Sequence, residues 1–189
     1  MSCDWDMNEA VNKKIIKELF EWLRDIIIAA LVTLFIINFL FQNTQVIGDS
    51  MEPSLEDGHS VIINKFIYRF KAPQRGDIIA FKSPVNPSEH HIKRIIGIPG
   101  DTVEIKEGKV YLNGILLKED YILEPMDAKM AGDMEYPLMI GPDSYFVMGD
   151  NRNISYDSRY KEIGLIDESS ISGKALIRIW PLNKIGRVK

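Results

Sequence analysis

A single serine stands out in the turn-rich segment GDSMEPSLEDG, which runs from Gly48 to Gly58. The glycine two residues before Ser50 leaves room for backbone N–H groups to approach a developing oxyanion. A serine hydroxyl is a poor nucleophile until a base removes its proton, so catalysis at Ser50 needs a partner elsewhere in the chain. Taken alone, the segment is equally typical of a turn or a cap.

Lys93 is the strongest candidate for that base. It lies in HIKRIIGIPGD, residues 91–101, whose apolar residues predict a strand. Alternate side chains of a strand point to opposite faces, so we expect a buried Lys93 beside a solvated Arg94. Burial penalises the ammonium form and lowers the pKa of a lysine, which makes a neutral amine available. The alternative is a surface lysine in an edge strand.

A third cluster, GDNRNISYDSR, covers residues 149–159. It combines two acid–base residue pairs with a serine between them: Asp150, Arg152, Ser155, Asp157 and Arg159. One interpretation is a solvated loop with weak surface ion pairs. The other is a scaffold of carboxylate–guanidinium pairs that fixes Ser155 against the base.

Composition excludes several other kinds of function. The net charge is −4, with 23 Lys plus Arg against 27 Asp plus Glu, so the chain lacks the basic excess that binds nucleic acid. One cysteine, Cys3, excludes an intrachain disulfide. With three histidines besides, the sequence predicts no metal site and no cofactor.

An apolar run, IIIAALVTLFIINFLF, begins at Ile26, and no charged residue occurs between it and Asp49. At 1.5 Å per residue its sixteen residues span roughly 24 Å, which favours a transmembrane anchor over residues 26–42. A cleaved secretory signal and a buried globular helix are the alternatives. Four cations precede the run, which predicts a cytoplasmic N-terminus: Lys13, Lys14, Lys17 and Arg24.

The chain therefore divides into three predicted parts. Residues 1–25 form an amphipathic N-terminal segment on the cytoplasmic side, with apolar residues at helical spacing: Val11, Ile15, Leu19, Trp22 and Leu23. Residues 26–42 form the membrane anchor. Residues 43–189 contain short β-branched and aromatic runs, which predict an extracytoplasmic, mainly β domain with an antiparallel sheet.

Two dipeptides predict hairpins in this domain. Asn113-Gly114 is the strongest short-range hairpin signal, and Glu107-Gly108 stands between two further runs. Residues 125–142 are rich in Met, Asp, Gly and Pro, and are predicted to form a small irregular excursion inserted in the β domain.

Four motifs follow one another behind the apolar run: GDSMEPSL (48–55), RGDIIAF (75–81), HIKRIIGIPGD (91–101) and GDNRNISYDSR (149–159). In this order they closely resemble the conserved boxes of type I signal peptidases of the bacterial kind. The resemblance implies a membrane-bound serine endopeptidase that removes signal peptides from exported preproteins at the bilayer surface. Cleavage there would use a Ser/Lys dyad.

The same resemblance implies a role for each site residue. Ser50 is similar to the nucleophile and Lys93 to the general base, while Ser155 resembles the serine that orients this lysine. Asp157 and Arg159 resemble the ion pair that supports it, with Asp150 and Arg152 as further scaffold. Gly48 departs from relatives that have an oxyanion-hole serine there, so the hole is expected to use the Ser50 N–H. Ser54 stands where threonine is more frequent.

The substrate is expected to bind as an extended peptide along a strand edge at residues 43–46. Four side chains are predicted to line shallow pockets for small residues before the scissile bond: Val46, Met51, Leu55 and Ile92.

Two other functions remain open at the level of the sequence. In the first, His90 or His91 is the base together with an acid, as in Ser-His-Asp hydrolases, although Asp49, which adjoins Ser50, is poorly placed to orient the histidine. In the second, the chain is a membrane-anchored, non-catalytic peptidase-like protein that assists export or pilus assembly.

Overall fold

The computed structural model describes the backbone of residues 3–188 and the side chains of residues 14–36 and 39–188. Residues 1–2 of the predicted N-terminal segment, and the side chain of Val11, lie outside this description. The chain forms two compact units, Met1–Leu40 and Phe41–Lys189.

The first unit is one helix, α1, from Cys3 to Leu40. It joins the predicted amphipathic segment and most of the predicted anchor without a break, and Phe35 stacks on Phe39 at 4.6 Å. Across the described residues, no helix combines the length and apolarity needed to cross a membrane. The helix ends two residues before the predicted end of the anchor, because Phe41 and Gln42 pair with a strand of the second unit.

The second unit is built from short strands and single helical turns. The strands are β1 Phe41–Gln45, β2 Ser60–Asn64, β3 Ile78–Lys82, β4 His90–Gly97, β5 Thr102–Lys106, β6 Lys109–Leu112, β7 Ile115–Leu116, β8 Leu138–Met139, β9 Ser144–Met148, β10 Ile166–Asp167, β11 Ile171–Trp180 and β12 Gly186–Arg187. The 3-10 helices are Ile67–Arg69, Ala128–Met130, Glu168–Ser170 and Leu182–Lys184.

These strands form two sheets. The larger has the order β1-β2-β11-β3-β4-β9-β10, with β12 on β11, and the smaller has the order β7-β6-β5-β8. Each strand pair is antiparallel, so the predicted mainly β, antiparallel domain is confirmed. β1 lies at one edge of the larger sheet, and β4 lies inside it between β3 and β9.

Both predicted hairpins occur in the smaller sheet. Glu107-Gly108 connects β5 to β6 and Asn113-Gly114 connects β6 to β7, with positive φ at all four residues. Positive φ at both central positions is what a two-residue type I′ turn requires.

Two segments differ from their predicted form. Strand β2 stops at Asn64 although the β-branched and aromatic run SVIINKFIYRF continues to residue 70, because the Asn64 side chain accepts the N–H groups of Phe66 and Ile67 and turns the chain. The excursion at residues 125–142 is packed: Met126 and Ile140 are buried, and β8 within it pairs with β5.

The core beneath the larger sheet positions the site. Met51 and Leu55 pack with Val61, Ile63 and Ile78 in one buried cluster. Each such side chain stabilises the fold by about 1.5–3 kcal/mol. Two apolar anchors thus fix the segment that carries Ser50 against the strands.

Candidate active site

Ser50 and Lys93 meet although they are far apart in sequence. The Lys93 Nζ donates a hydrogen bond to the Ser50 Oγ over 2.6 Å. Lys93 lies on β4 opposite Ile79 of β3, and the next residue, Arg94, pairs with Met148 of β9, so the sheet fixes this part of β4. The arrangement brings a candidate base within the reach that proton transfer requires.

The environment of Lys93 favours its neutral form. Its side chain is only 6% exposed. Burial is the largest effect and lowers the pKa of Lys93 to about 8, with a further lowering by Arg159, while Asp157 and Asp150 raise it. About a tenth of the amine is therefore unprotonated at pH 7, far more than for an ordinary lysine.

Ser50 lies on a segment, residues 46–59, that we call the nucleophile loop. Its two ends are joined by backbone hydrogen bonds, from Val46 N–H to His59 O over 2.8 Å and from Gly58 N–H to Val46 O over 3.0 Å. Between these ends, the loop is held by the buried side chains of Met51 and Leu55. The rest of the loop is largely polar and includes the exposed Asp49 and Asp57.

The backbone of this loop carries two N–H groups, at Gly48 and Ser50, that could serve as donors in the predicted oxyanion hole. Gly48 has φ +82°, and its N–H donates to the Asp57 carboxylate over 2.7 Å, so that donor is already used. The Ser50 N–H has no hydrogen-bond acceptor among the described residues. Of the two backbone donors, the Ser50 N–H is the one available to a developing oxyanion.

The cluster at residues 149–159, here called the scaffold loop, packs directly on the nucleophile loop. The Asn151 N–H donates to the Ser50 carbonyl over 3.1 Å. A Cβ built on Gly149 would lie 2.3 Å from both the Ser50 carbonyl oxygen and the Ser155 Oγ. Only glycine allows the two loops to come this close.

Asp157 and Arg159 form a buried bidentate pair. The Arg159 Nε donates to Asp157 Oδ1 over 2.8 Å and its Nη2 to Oδ2 over 2.9 Å. The same guanidinium donates to the backbone carbonyls of Met130, Arg152 and Ser155. Asp157 also accepts the Gly149 N–H. The pair therefore links different parts of the scaffold loop to one another and also links the loop to the excursion at residues 125–142.

Asp150 forms a second bidentate pair, with Arg94, over 2.7 Å at both contacts. Arg94 is 4% exposed, so the expectation of a solvated Arg94 was wrong. Its face of β4 is covered: the guanidinium lies 4.2 Å from the Tyr121 ring and donates to the Ser54 hydroxyl and the Gly76 carbonyl. Charge pairing and a ring contact stabilise the buried cation.

Arg152 is buried as well. Its Nε donates to the Gly149 carbonyl over 3.0 Å, and its Nη2 pairs with Glu119. Sequence reasoning missed both Glu119 and Tyr121, since neither lies in a recognisable motif.

Ser155 reaches the site without the expected hydrogen bond. Its side chain is 1% exposed, and its hydroxyl has no partner among the described residues, Lys93 included. Its backbone is fixed, since the N–H donates to Asn151 O and the carbonyl accepts from Arg159. The Ser155 hydroxyl is thus a buried polar group that no described residue satisfies.

A cavity of about 320 Å³ opens above the dyad. It is lined by Thr44, Gln45, Val46, Ile47, Ser50, Met51, His90, His91, Ile92, Lys93, Ile154 and Tyr156. Three of the predicted pocket residues are in this wall, whereas Leu55 is not and packs in the core instead. Ile154 and Tyr156, from the scaffold loop, were not predicted.

The two neighbouring histidines line the cavity, but neither is joined to Ser50 by a described hydrogen bond. His91 Nδ1 is buried and has no hydrogen-bond partner in the described part of the chain, and burial followed by the Lys93 charge lowers the pKa of His91. Asp49 is exposed and makes no described contact with either imidazole. Within the described part of the chain, no cluster of His, Cys, Asp or Glu could hold a metal ion.

Comparison with known proteins gives a consistent result. The family model described as signal peptidase, peptidase S26, matches residues 19–180. A signal peptidase I of Bacillus licheniformis is 38% identical over 183 residues, covering 94% of this chain and 96% of that protein. One of Bacillus amyloliquefaciens is 39% identical over 189 residues, covering 96% and 97%.

A solved structure of a signal peptidase I from Enterococcus faecalis V583 also matches. It is 39% identical, covers 55% of this chain and 97% of that one, and has a TM-score of 0.47.

Proposed function

Because the chain belongs to the signal peptidase family, peptidase S26, we propose that it removes signal peptides from exported preproteins with Ser50 as nucleophile and Lys93 as general base. The observation that carries this assignment is the 2.6 Å hydrogen bond between Lys93 Nζ and Ser50 Oγ at the base of an open cavity.

The reaction begins with the neutral amine. Lys93 Nζ accepts the Ser50 proton as Ser50 Oγ attacks the scissile carbonyl carbon, and a tetrahedral oxyanion forms. The Lys93 ammonium then gives that proton to the leaving nitrogen, the C–N bond breaks, and an ester remains on Ser50. A water molecule then gives a proton to Lys93 Nζ and attacks the ester carbon. The bond to Ser50 Oγ breaks, the Lys93 ammonium returns the proton to that oxygen, and the signal peptide leaves with a new carboxyl group, which ionises.

The Ser50 N–H, which has no acceptor among the residues that the structure describes, is the donor we assign to the oxyanion. Electrostatic stabilisation of this kind is worth about 2.7–4 kcal/mol per donor in serine peptidases. Ser155 is assigned to orient Lys93, on the basis of its partnerless buried hydroxyl near Ser50.

The extended substrate is expected to lie in the cavity between residues 44–47, which continue the edge strand β1, and residues 90–93 of β4. Backbone hydrogen bonds to a strand edge bind an extended peptide irrespective of sequence. Val46, Met51 and Ile92 leave shallow apolar space, which fits the small residues that precede signal-peptide cleavage sites.

We propose further that α1 anchors the enzyme in the bilayer through its apolar run, residues 26–40, with the N-terminus in the cytoplasm and the β unit outside. A cleavage site held at the bilayer surface is accessible only to a nucleophile close to that surface. Ser50 is ten residues beyond the end of α1, which suits this requirement.

Cleavage of one defined preprotein in detergent micelles tests the proposal. We expect Ser50→Ala and Lys93→Ala to abolish cleavage, and sequencing of the wild-type product to give the mature N-terminus. Ser88→Ala and Lys82→Ala change exposed residues of the same types and should cleave normally. Full activity in either dyad variant would refute the mechanism.

The same assay distinguishes a mechanism with a histidine base from one with Lys93 as the base. If His90 or His91 were the base, the double variant His90→Ala, His91→Ala would be inactive and Lys93→Ala would retain activity. We expect the reverse order, since the described hydrogen bond to Ser50 comes from Lys93.

A further inference from the structure

His59 is a buried titratable residue that the proposed mechanism does not use. It is 3% exposed and lies at the end of the nucleophile loop. Its Nδ1 accepts a hydrogen bond from the Glu56 N–H over 3.0 Å. A ring nitrogen can accept only when it carries no proton, so this bond requires the neutral imidazole with its proton on Nε2.

The main chain of His59 closes the loop that carries Ser50. Its carbonyl accepts the Val46 N–H, and its own N–H donates to the Glu56 carbonyl over 3.2 Å. The ring bond and these two backbone bonds therefore fix both ends of the loop at one residue. Val46, which is held in this way, also lines the substrate cavity.

Charged groups from two other elements face this ring. Lys184, in the 3-10 helix after β11, donates to both Glu56 carboxylate oxygens, and Arg178 of β11 donates to the carbonyls of Ser54 and Lys184. Burial, and then Arg178, lower the pKa of His59, Glu56 raises it, and Lys184 lowers it. A proton added to His59 would be buried, with Arg178 and Lys184 opposing it and the Glu56 carboxylate, 3.7 Å from Nε2, favouring it.

We propose that neutral His59 is a positioning residue for Ser50, and that its protonation releases the nucleophile loop and lowers peptidase activity. The proton would turn Nδ1 from an acceptor into a donor facing the Glu56 N–H, so two donors would oppose each other. The inference rests on the proposed chemistry of Ser50 and Lys93.

The slope of the pH profile tests this proposal. Protonation of Lys93 alone makes kcat/KM fall about tenfold per pH unit below a pKa of about 8. If His59 must also be neutral, the fall steepens to about a hundredfold per unit at pH values below the His59 pKa. A fluorogenic signal-peptide substrate in detergent micelles gives both slopes.

His59→Asn is the matched variant. Asn Oδ1 occupies the position of Nδ1 and can accept the Glu56 N–H, but it does not titrate. We expect His59→Asn to keep the shallow slope at all acid pH values, while the wild type shows the steep one.

A steep slope in His59→Asn, or a shallow slope in the wild type, would overturn the role of His59 while leaving the Ser50/Lys93 assignment intact. If the Ser50/Lys93 assignment itself were wrong, the Ser50→Ala variant would remain active, which is a separate result.

Nitrogen NMR of the three histidines in the full chain shows which ring nitrogen of each imidazole carries the proton. This measurement does not depend on whether a variant at position 59 folds. We expect one imidazole, assigned by elimination with His90→Asn and His91→Asn, to carry its proton on Nε2 at neutral pH. Its titration midpoint should coincide with the change of slope. A proton on Nδ1 at neutral pH would refute the proposal.

Discussion

The two loops that meet at Ser50 are stabilised in different ways. The scaffold loop, residues 149–159, buries two carboxylates and two arginines in paired, multiply bonded arrangements. The nucleophile loop, residues 46–59, is held by two apolar anchors and a few hydrogen bonds at its ends. The base needs burial, which is the largest cause of its lowered pKa, whereas a nucleophile beside a substrate cavity needs open space.

This difference predicts where substitutions should be most damaging. Buried ion pairs are costly to break, because the remaining charge stays desolvated. Changes in the nucleophile loop should affect geometry with a smaller loss of stability.

Asp157→Asn should have the largest effect on stability. It leaves the Arg159 guanidinium buried without a counter-charge, which costs about 3–5 kcal/mol. Urea unfolding of the full chain in micelles, followed by near-UV circular dichroism, measures the loss. Glu135→Gln breaks an exposed pair with Lys161 and should leave the midpoint unchanged. Equal effects of the two variants would remove the distinction between buried and surface pairs.

Lys93 should show a smaller, pH-dependent effect. Its folded-state pKa of about 8 lies below the ordinary value, so between the two values the unfolded chain binds a proton that the folded chain does not. Stability therefore rises with pH through this window, by about 3 kcal/mol in total for this group.

Lys93→Met isolates that contribution. The free energy of unfolding of the wild type, minus that of the variant, should increase from pH 8 to about pH 10.5. Other titrating groups cancel in this difference. A difference that is constant with pH would contradict a lowered pKa at Lys93.

Motif order and residue type predicted much of this site from the sequence. Each short motif could be recognised from neighbouring residues alone. This applies to the segments around Ser50 and Lys93 and to the acidic and basic residues of 149–159. The hairpins at Glu107-Gly108 and Asn113-Gly114 were predicted for the same reason, since a two-residue turn depends on its own backbone angles.

Burial of Arg94 could not be predicted in this way. Strand alternation places it opposite Lys93, but it does not say what covers that face. Asp150 and Tyr121 cover it, and both arrive from distant parts of the chain. Ile154 and Tyr156 in the cavity wall were missed for the same reason, because their place depends on how the scaffold loop packs on Ser50.

The contact between the loops can be tested through their glycines. Gly149→Ala places a methyl group 2.3 Å from the Ser50 carbonyl oxygen, which must move. Overpacking of this kind costs about 1–3 kcal/mol. Because the displaced atom belongs to Ser50, we expect kcat to fall as well, measured with the preprotein assay. An active Gly149→Ala enzyme of wild-type stability would show that the loops separate easily.

Gly48→Ala is the counterpart in the nucleophile loop and should have the smallest effect on stability. Its Cβ would meet no atom within 4 Å, so only the backbone angle, φ +82°, opposes it. That strain is about 1–2 kcal/mol, and the lower entropy of the unfolded chain offsets about 0.4–1 kcal/mol of it. The same urea unfolding experiment should give a net loss below that of Gly149→Ala. A larger loss at Gly48 would mean that the nucleophile loop, and not its contact with the scaffold loop, limits the stability of the site.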